Sequence, residues 1–339
     1  KGLDNRYGKA MQMIAGIHYN FSFPEELLLK LGPLPGFANI SDRQGIITNR
    51  YMGVMRGFLR YQWIIPFLFG ASPICFKGSV VNSHKIPSFL SENNSDKNIL
   101  FSNTATSLRL SDIGYQNKSQ SQINICTDNI QNYAKSLLDA TNLPYSEFEL
   151  IKTKSSKGEY NQLNSNLLQI ENEFYSTIRP KSTPQGEYRP AVALSKFGVE
   201  YLEIRALDLN PLEPLGLSKK TSAFIDLFLT HLLLQKGDLL DLKNENKNSY
   251  NFKSAVENSR NINSRVCIKS ERKNLCESVR DILISMKNLA IIMDESETNS
   301  NNIYTKTLQE QIDKTNDLSL LPSNKFINSW KKSGLKFNK

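Results

Sequence analysis

Apolar and polar residues alternate in three stretches of the chain. In residues 11–23, MQMIAGIHYNFSF, Ile17, Tyr19, Phe21 and Phe23 alternate with His18, Asn20 and Ser22. In residues 162–178, Leu168, Ile170 and Phe174 oppose Gln169, Glu171, Glu173 and Tyr175. In residues 199–209, Leu202, Ile204 and Ala206 oppose Tyr201, Glu203 and Arg205. A period of two is the signature of a half-buried strand, so each stretch predicts a strand with one apolar and one polar face.

Elsewhere the pattern is helical or irregular. Residues 24–44 predict a short helix followed by a Gly- and Pro-rich loop. Residues 46–61 predict a helix with Ile47, Tyr51, Val54 and Phe58 on one side and Arg50, Arg56 and Arg60 mostly on the others. The aromatic run 62–76 reads as buried, with Pro66, Gly70 and Pro73 forcing turns. Residues 77–106 and 107–121 read as polar loops, the second around Gly114. Thr127 is positioned to cap a short helix through Leu138, and residues 219–236 predict an apolar helix ended by Gly237. The Asn- and Lys-rich segment 243–264 predicts a mobile loop or insertion. Leu275, Val279, Ile282, Leu283, Met286 and Leu289 mark an amphipathic helix, and the last forty residues are polar with a few apolar anchors.

Composition narrows the class. The chain has 339 residues, 39% of them apolar and 22% charged, enough for a folded core. No run of about 20 apolar residues argues for a membrane-spanning helix. No charged leader precedes a short apolar stretch, and Cys75, Cys126, Cys267 and Cys276 form no CxxC pair. The expectation is therefore reduced thiols in a cytoplasmic protein without a zinc site. The net charge of +9 is spread along the chain and not gathered on one helix, so nucleic acid is not an expected partner. A small polyanionic substrate gripped by inward-facing arginines is compatible with it.

The polar faces of the predicted strands leave two readings open. A sheet with one solvated face is common in antiparallel proteins. Alternatively, that face lines a cleft, where carboxylates and a histidine suit Mg²⁺ and neighbouring arginines suit phosphate. A lone strand histidine such as His18 is more often structural than a ligand, and Glu203 with Arg205 is explicable as a simple ion pair. No Walker loop, GxGxxG turn, GxSxG elbow or HExxH helix is present.

Five blocks in order resemble the glutamate–cysteine ligase family of the gamma-proteobacterial type: NRYGKAMQMIAGIHYNFSFP (5–24), YQWIIPFLFGASP (61–73), SLRLSDIGYQNKSQS (107–121), LNSNLLQIENEFYSTIRPK (163–181) and VEYLEIRALDLNPLEPLG (199–216). The resemblance runs to about residue 235 and is weak beyond it. It implies an α+β fold, a curved and mainly antiparallel sheet with outer helices related to glutamine synthetase. It divides the chain into a catalytic core at 1–236 and a mainly helical part at 237–339. It implies that ATP phosphorylates the side-chain carboxylate of L-glutamate and that the amine of L-cysteine displaces the phosphate, with Mg²⁺ or Mn²⁺ as cofactor. By resemblance, Glu203 and His18 belong to the metal–phosphate centre, and Arg205 and Arg109 contact phosphate or substrate carboxylate. By the same resemblance Tyr115 and Tyr175 line the cysteine pocket with Leu3 at its edge, and Glu173 lies on the face suited to a metal or substrate role. Related ligases with another amine acceptor, and a binding protein that keeps the fold, are the alternatives. The family carries a region before the residues that match position 1, which supplies further glutamates. The expectation is that this polypeptide alone has little ligase activity; it is expected to be a monomer.

Overall fold

The structure is a computed structural model that describes residues 1–8, 15–79, 86–114, 119, 123–183, 186–240, 242–268, 271–296 and 301–333. Its elements in chain order begin with α1 (Gly2–Tyr7), β1 (Ile17–Phe21), α2 (Glu25–Leu31), α3 (Arg43–Tyr61) and α4 (Ile64–Phe69). Then come β2 (Ile74–Phe76), β3 (Ser91–Glu92), β4 (Ile99–Phe101), α5 (Ile130–Asn142), α6 (Ser146–Glu149), β5 (Ile178–Lys181), α7 (Pro190–Phe197) and β6 (Tyr201–Leu207). The remainder is α8 (Lys219–Leu233), α9 (Leu242–Asn258), the hairpin β7 (Arg265–Ile268) and β8 (Glu271–Asn274), and helices α10 (Leu275–Ser285), α11 (Lys287–Ser296), α12 (Ile303–Asn316) and α13 (Pro322–Ser333).

The principal sheet has the order β1-β6-β5 and is antiparallel throughout. Two of its strands are those the alternation predicts. Leu202 and Ile204 of β6 are fully buried, while Tyr201, Glu203 and Arg205 are partly buried on the other face. Burying each such aliphatic side chain contributes about 1.5–3 kcal/mol, which fixes which face turns inward. The register of β1 against β6 slips between Ile17↔Leu207 and Tyr19↔Ile204, a β-bulge opposite His18. Beyond it the alternation ends, and Ala206 and Leu207 are both buried. A second antiparallel sheet, β2-β4-β3, lies within 77–106 and its approach, where the sequence reads only as loop.

The apolar face of the main sheet packs on α3 and α4, with α8 behind them. Asp42 caps α3 by accepting from Gly45 N at 2.7 Å. Gly53 lets α3 approach its neighbours: a Cβ there would lie 2.5 Å from Leu34 Cδ1. The apolar cluster is continuous across residue 236, since Leu275, Val279, Leu308 and Leu321 join Phe58, Phe224 and Ile204 in it.

Several expectations are corrected. Arg56 does not lie on an outer side of α3; it is fully buried. Its guanidinium donates to the carbonyls of Gly237 (3.0 and 2.8 Å), Thr127 (2.9 Å) and Asp128 (3.0 Å), and burial lowers its pKa to about 10. The helix after Thr127 is capped by Asn129, which accepts from Asn132 N at 2.8 Å, and it runs to Asn142. Residues 162–178 are not a strand. Asn164 and Gln169 bond to nearby main chain and Glu171–Glu173 forms a 3₁₀ turn, so local side-chain bonds replace a ladder; the strand starts only at Ile178.

Segment 243–264 is no loop but mostly helix α9. Its inward face uses Asn and Ser where an amphipathic pattern would use Leu. Asn251 pairs both ways with the Cys267 main chain, at 2.6 and 2.9 Å, and Ser254 donates to Arg265 O. The amphipathic helix expected over 275–289 breaks at Met286 into α10 and α11.

Candidate active site

The polar face of the main sheet gathers the candidate chemistry. Asn20 of β1 lies directly opposite Glu203 of β6, which lies opposite Arg179 of β5. Cross-strand neighbours on one face stand about 5 Å apart, so these side chains share one surface. Glu203 is held between two cations: Lys181 Nζ reaches one carboxylate oxygen at 3.3 Å and Arg205 Nε the other at 3.4 Å. Both partners are largely buried.

Arg205 also donates from Nε to His18 Nε2 at 3.1 Å, and its guanidinium carbon stands 6.0 Å from the centre of the Tyr175 ring. Its Nη1 is buried without a hydrogen-bond acceptor among the described residues. A buried unpaired donor on a cation is costly unless an anion is to satisfy it. The pKa of His18 is lowered, first by burial and then by Arg205, with Glu203 opposing and Arg179 and Lys181 adding to it. The ring is thus neutral at pH 7, as acceptance from Arg205 requires.

Arg109 approaches this face from the loop after Ser107. Its Nε donates to Asp208 Oδ1 at 2.7 Å, and Nη2 donates to the carbonyls of Arg205 (3.2 Å) and Leu207 (2.9 Å). Arg205 and Leu207 lie in and beside the β6 bulge, so Arg109 braces that irregular stretch of the strand. Asp208, itself buried, also accepts from Ala71 N, Ser72 Oγ and Ser107 Oγ. Gly114 permits the tight turn of that loop, because a Cβ would meet the Arg109 carbonyl oxygen at 1.9 Å. Tyr115 lies outside the described residues.

Glu173 does not face the sheet. Its carboxylate is buried and accepts from Arg6 Nη1 (3.1 Å), Tyr7 Oη (2.5 Å) and Gln169 N (2.6 Å). That network docks α1, which carries Leu3 at 37% exposure, on the segment before Tyr175. Glu171 is also buried, 3.0 Å from Arg189.

The structure thus unites His18, Glu203, Arg205 and Tyr175, with Arg109 behind them. It adds Arg179 and Lys181 of β5, which the alternation over 162–178 does not reach. The sequence run IRPK carries only a weak strand signal, because Pro180 is tolerated in β5 only at a sheet edge. Among the described residues no group of three or more His, Cys, Asp or Glu is placed to hold a metal ion. All four cysteines are free thiols, and no described helix is long and apolar enough to cross a membrane.

Fold and site together define a mixed α+β protein whose open antiparallel sheet presents a cation-rich polar face around one carboxylate and one neutral imidazole. The family model for glutamate–cysteine ligase matches residues 1–255. The chain belongs to the glutamate–cysteine ligase family. It is 37% identical over 328 residues to the glutamate–cysteine ligase of Alcanivorax borkumensis and 38% identical over 324 residues to that of Pseudomonas fluorescens, each alignment covering 95% of this chain. It spans 61% and 59% of the length of those two relatives. Among solved structures it is similar to the Francisella tularensis glutamate–cysteine ligase in complex with AMP, with a TM-score of 0.87 and 33% identity over 98% of this chain and 62% of that one. A bifunctional glutathione synthetase from Pasteurella multocida shares the fold at a TM-score of 0.63 and 22% identity, covering 98% of this chain and 35% of that one.

Proposed function

We propose that this chain forms the core of an ATP-dependent ligase that joins the side-chain carboxylate of L-glutamate to the amine of L-cysteine, the first step toward glutathione. The observation that carries the reading is the polar sheet face, where the unpaired Nη1 of Arg205 stands beside Glu203, Lys181 and neutral His18 in a member of this family. AMP in the Francisella relative supports a nucleotide as co-substrate.

In this reading a glutamate γ-carboxylate oxygen attacks the γ-phosphorus of ATP, and ADP leaves. The cysteine amine then attacks the acyl carbon, phosphate leaves with the electrons of the broken C–O bond, and the amine loses a proton. Both steps crowd anionic oxygens together, and positioned cations lower their energy. Arg205 offers the free donor, Lys181 and Arg179 add positive charge, and Tyr175 lies against the Arg205 guanidinium. Neutral His18 holds Arg205 Nε and orients the fork. Arg109 acts through its bonds to the bulge carbonyls and to Asp208.

The donor set fits a hard divalent cation in part. Glu203 and the amide of Asn20 are the groups that would hold Mg²⁺ or Mn²⁺, joined by His18 only if its Nε2 exchanged the bond to Arg205 for the ion, with water and phosphate oxygens as the other ligands. When bound, such an ion neutralises charge on the phosphates. One carboxylate is few, so the 339-residue chain by itself is expected to turn over slowly. We place the protein in the cytoplasm as a monomer whose partners are L-glutamate, L-cysteine and ATP.

The test is ADP release with glutamate, ATP and Mg²⁺, with and without L-cysteine, on this chain and on a version extended at its N-terminus with a relative's sequence. Cysteine-dependent release by the extended protein, abolished by Glu203→Gln without loss of folding, is the expected result. No release from a folded extended protein would sink the reading and favour a binding role for the same face.

A further inference from the structure

Away from the polar sheet face, a cavity of about 610 Å³ opens between the end of β6, the start of α8, and helices α12 and α13. Its volume is in the range of sites for small organic molecules. Lys314 of α12 lies at its wall, where Nζ donates to Leu68 O at 3.0 Å and Gln311 Oε1 at 2.7 Å, with the Phe69 ring centre 4.8 Å away. All three are neutral, and the third N–H has no acceptor among the described residues.

The charges around it do not balance. Lys220 is paired with Glu310, and Asp208 is paired with Arg109. That leaves Lys219, Lys314 and Lys325 against Glu213 alone. Burial, with Lys325 adding to it and Glu310 and Glu213 opposing, lowers the Lys314 pKa to about 7. An ammonium in this environment lacks a counter-charge, and a bound anion would supply it.

We propose that this cavity is a binding site for a small multivalent organic anion, a phosphate ester or polycarboxylate, whose charge meets Lys314, Lys219 and Lys325 while its carbon body rests on Phe69 and Leu320. The cavity touches Asp208 and Leu207, which brace Arg109, but none of the groups proposed to meet the anion belongs to the ligase reading. The anion selects the charged form of Lys314, so loss of that charge weakens binding as pH rises above about 7, by up to tenfold per unit. The titratable groups facing Lys314 are Lys325 from α13, Glu213 from the loop after β6 and Glu310 on its own helix, while Lys219 and Lys220 come from α8; α4 offers only the Phe69 ring and Leu68 carbonyl.

Trace acetylation with acetic anhydride at pH 7, read residue by residue by peptide mass spectrometry, tests this. It is run on the full 339-residue chain and on Arg205→Ala, with pyrophosphate or citrate as probe. The expected result is that Lys314 labels faster than exposed Lys196, and that one or both anions slow its labelling at least fivefold in both proteins. The more effective probe tells phosphate from carboxylate chemistry. Lys325→Ala, at an exposed position, should weaken that protection without altering the unfolding midpoint. An unlabelled Lys314 beside labelled surface lysines would overturn the proposal, as would labelling that neither anion slows. Protection that disappears in Arg205→Ala would place the anion at the sheet face and overturn the cavity site alone.

Discussion

At the scale of single residues, the chemistry turns on side chains whose partners the sequence does not name. Asp208 holds Arg109 and three other donors, and Arg109 in turn holds the carbonyls of the bulge that carries Arg205. Asp208→Asn keeps the shape and removes the charge that fixes the guanidinium. In the extended protein it should lower kcat by about 10–100-fold, as removal of an outer supporting group does, with the fold retained by circular dichroism. Unchanged kcat would show that Arg109 needs no such support. His18 gives a second prediction. Its folded pKa lies below the ordinary value of 6.5, so below pH 6.5 the unfolded chain takes up a proton that the native one resists. Stability should fall as pH drops through that window, and the drop should be smaller in His18→Gln. Proton NMR should place the His18 midpoint below 6.5; a midpoint above it would contradict the burial and the Arg205 contact.

At the scale of elements, two helices are held by polar groups where an apolar pattern would be expected. Asn251 of α9 bonds to both main-chain groups of Cys267. Asn251→Leu leaves those partly buried groups unpaired, and should destabilise the protein by about 1–3 kcal/mol in urea unfolding. Arg56 is the corresponding feature of α3: four bonds to main-chain carbonyls and, among the described residues, no carboxylate within ion-pair distance. Arg56→Met should cost about 3 kcal/mol or more, read as a lower urea midpoint with an unchanged slope. A loss below 1 kcal/mol in either variant would mean that water replaces the missing donor. These contacts also explain where pattern reading fails. Burial marks a helix in sequence only when the buried face is apolar, and α9 buries Asn, Ser and Ala. The stretch 162–178 fails in the opposite sense. Its alternation is genuine, but Asn164, Gln169 and Glu173 bond locally and leave no ladder to form.

At the scale of the whole molecule, one apolar cluster links the residues before and after 236. We propose that residues 1–236 and 237–339 unfold together, in a single calorimetric transition; two resolved transitions would separate them into independent units. By itself the pattern along the sequence determined two strands of the main sheet with their faces, the helices around residues 46–61 and 219–236, and Glu203 with Arg205 on one surface. Those follow from local rules, because a strand's two faces and a helix's stripe are written in residue spacing. The family resemblance was legible too, because five blocks keep their order, and the α+β class and a shared centre for His18 and Arg205 were only what that resemblance implied. Only the tertiary structure decided that Lys181 and Arg179 join Glu203, that Glu173 turns away to hold Arg6 and Tyr7, and that Arg109 serves a bulge. Each of these pairs residues far apart in the chain, and the energy that selects them, pairing a buried charge or bonding a main-chain carbonyl, exists only once the elements have packed.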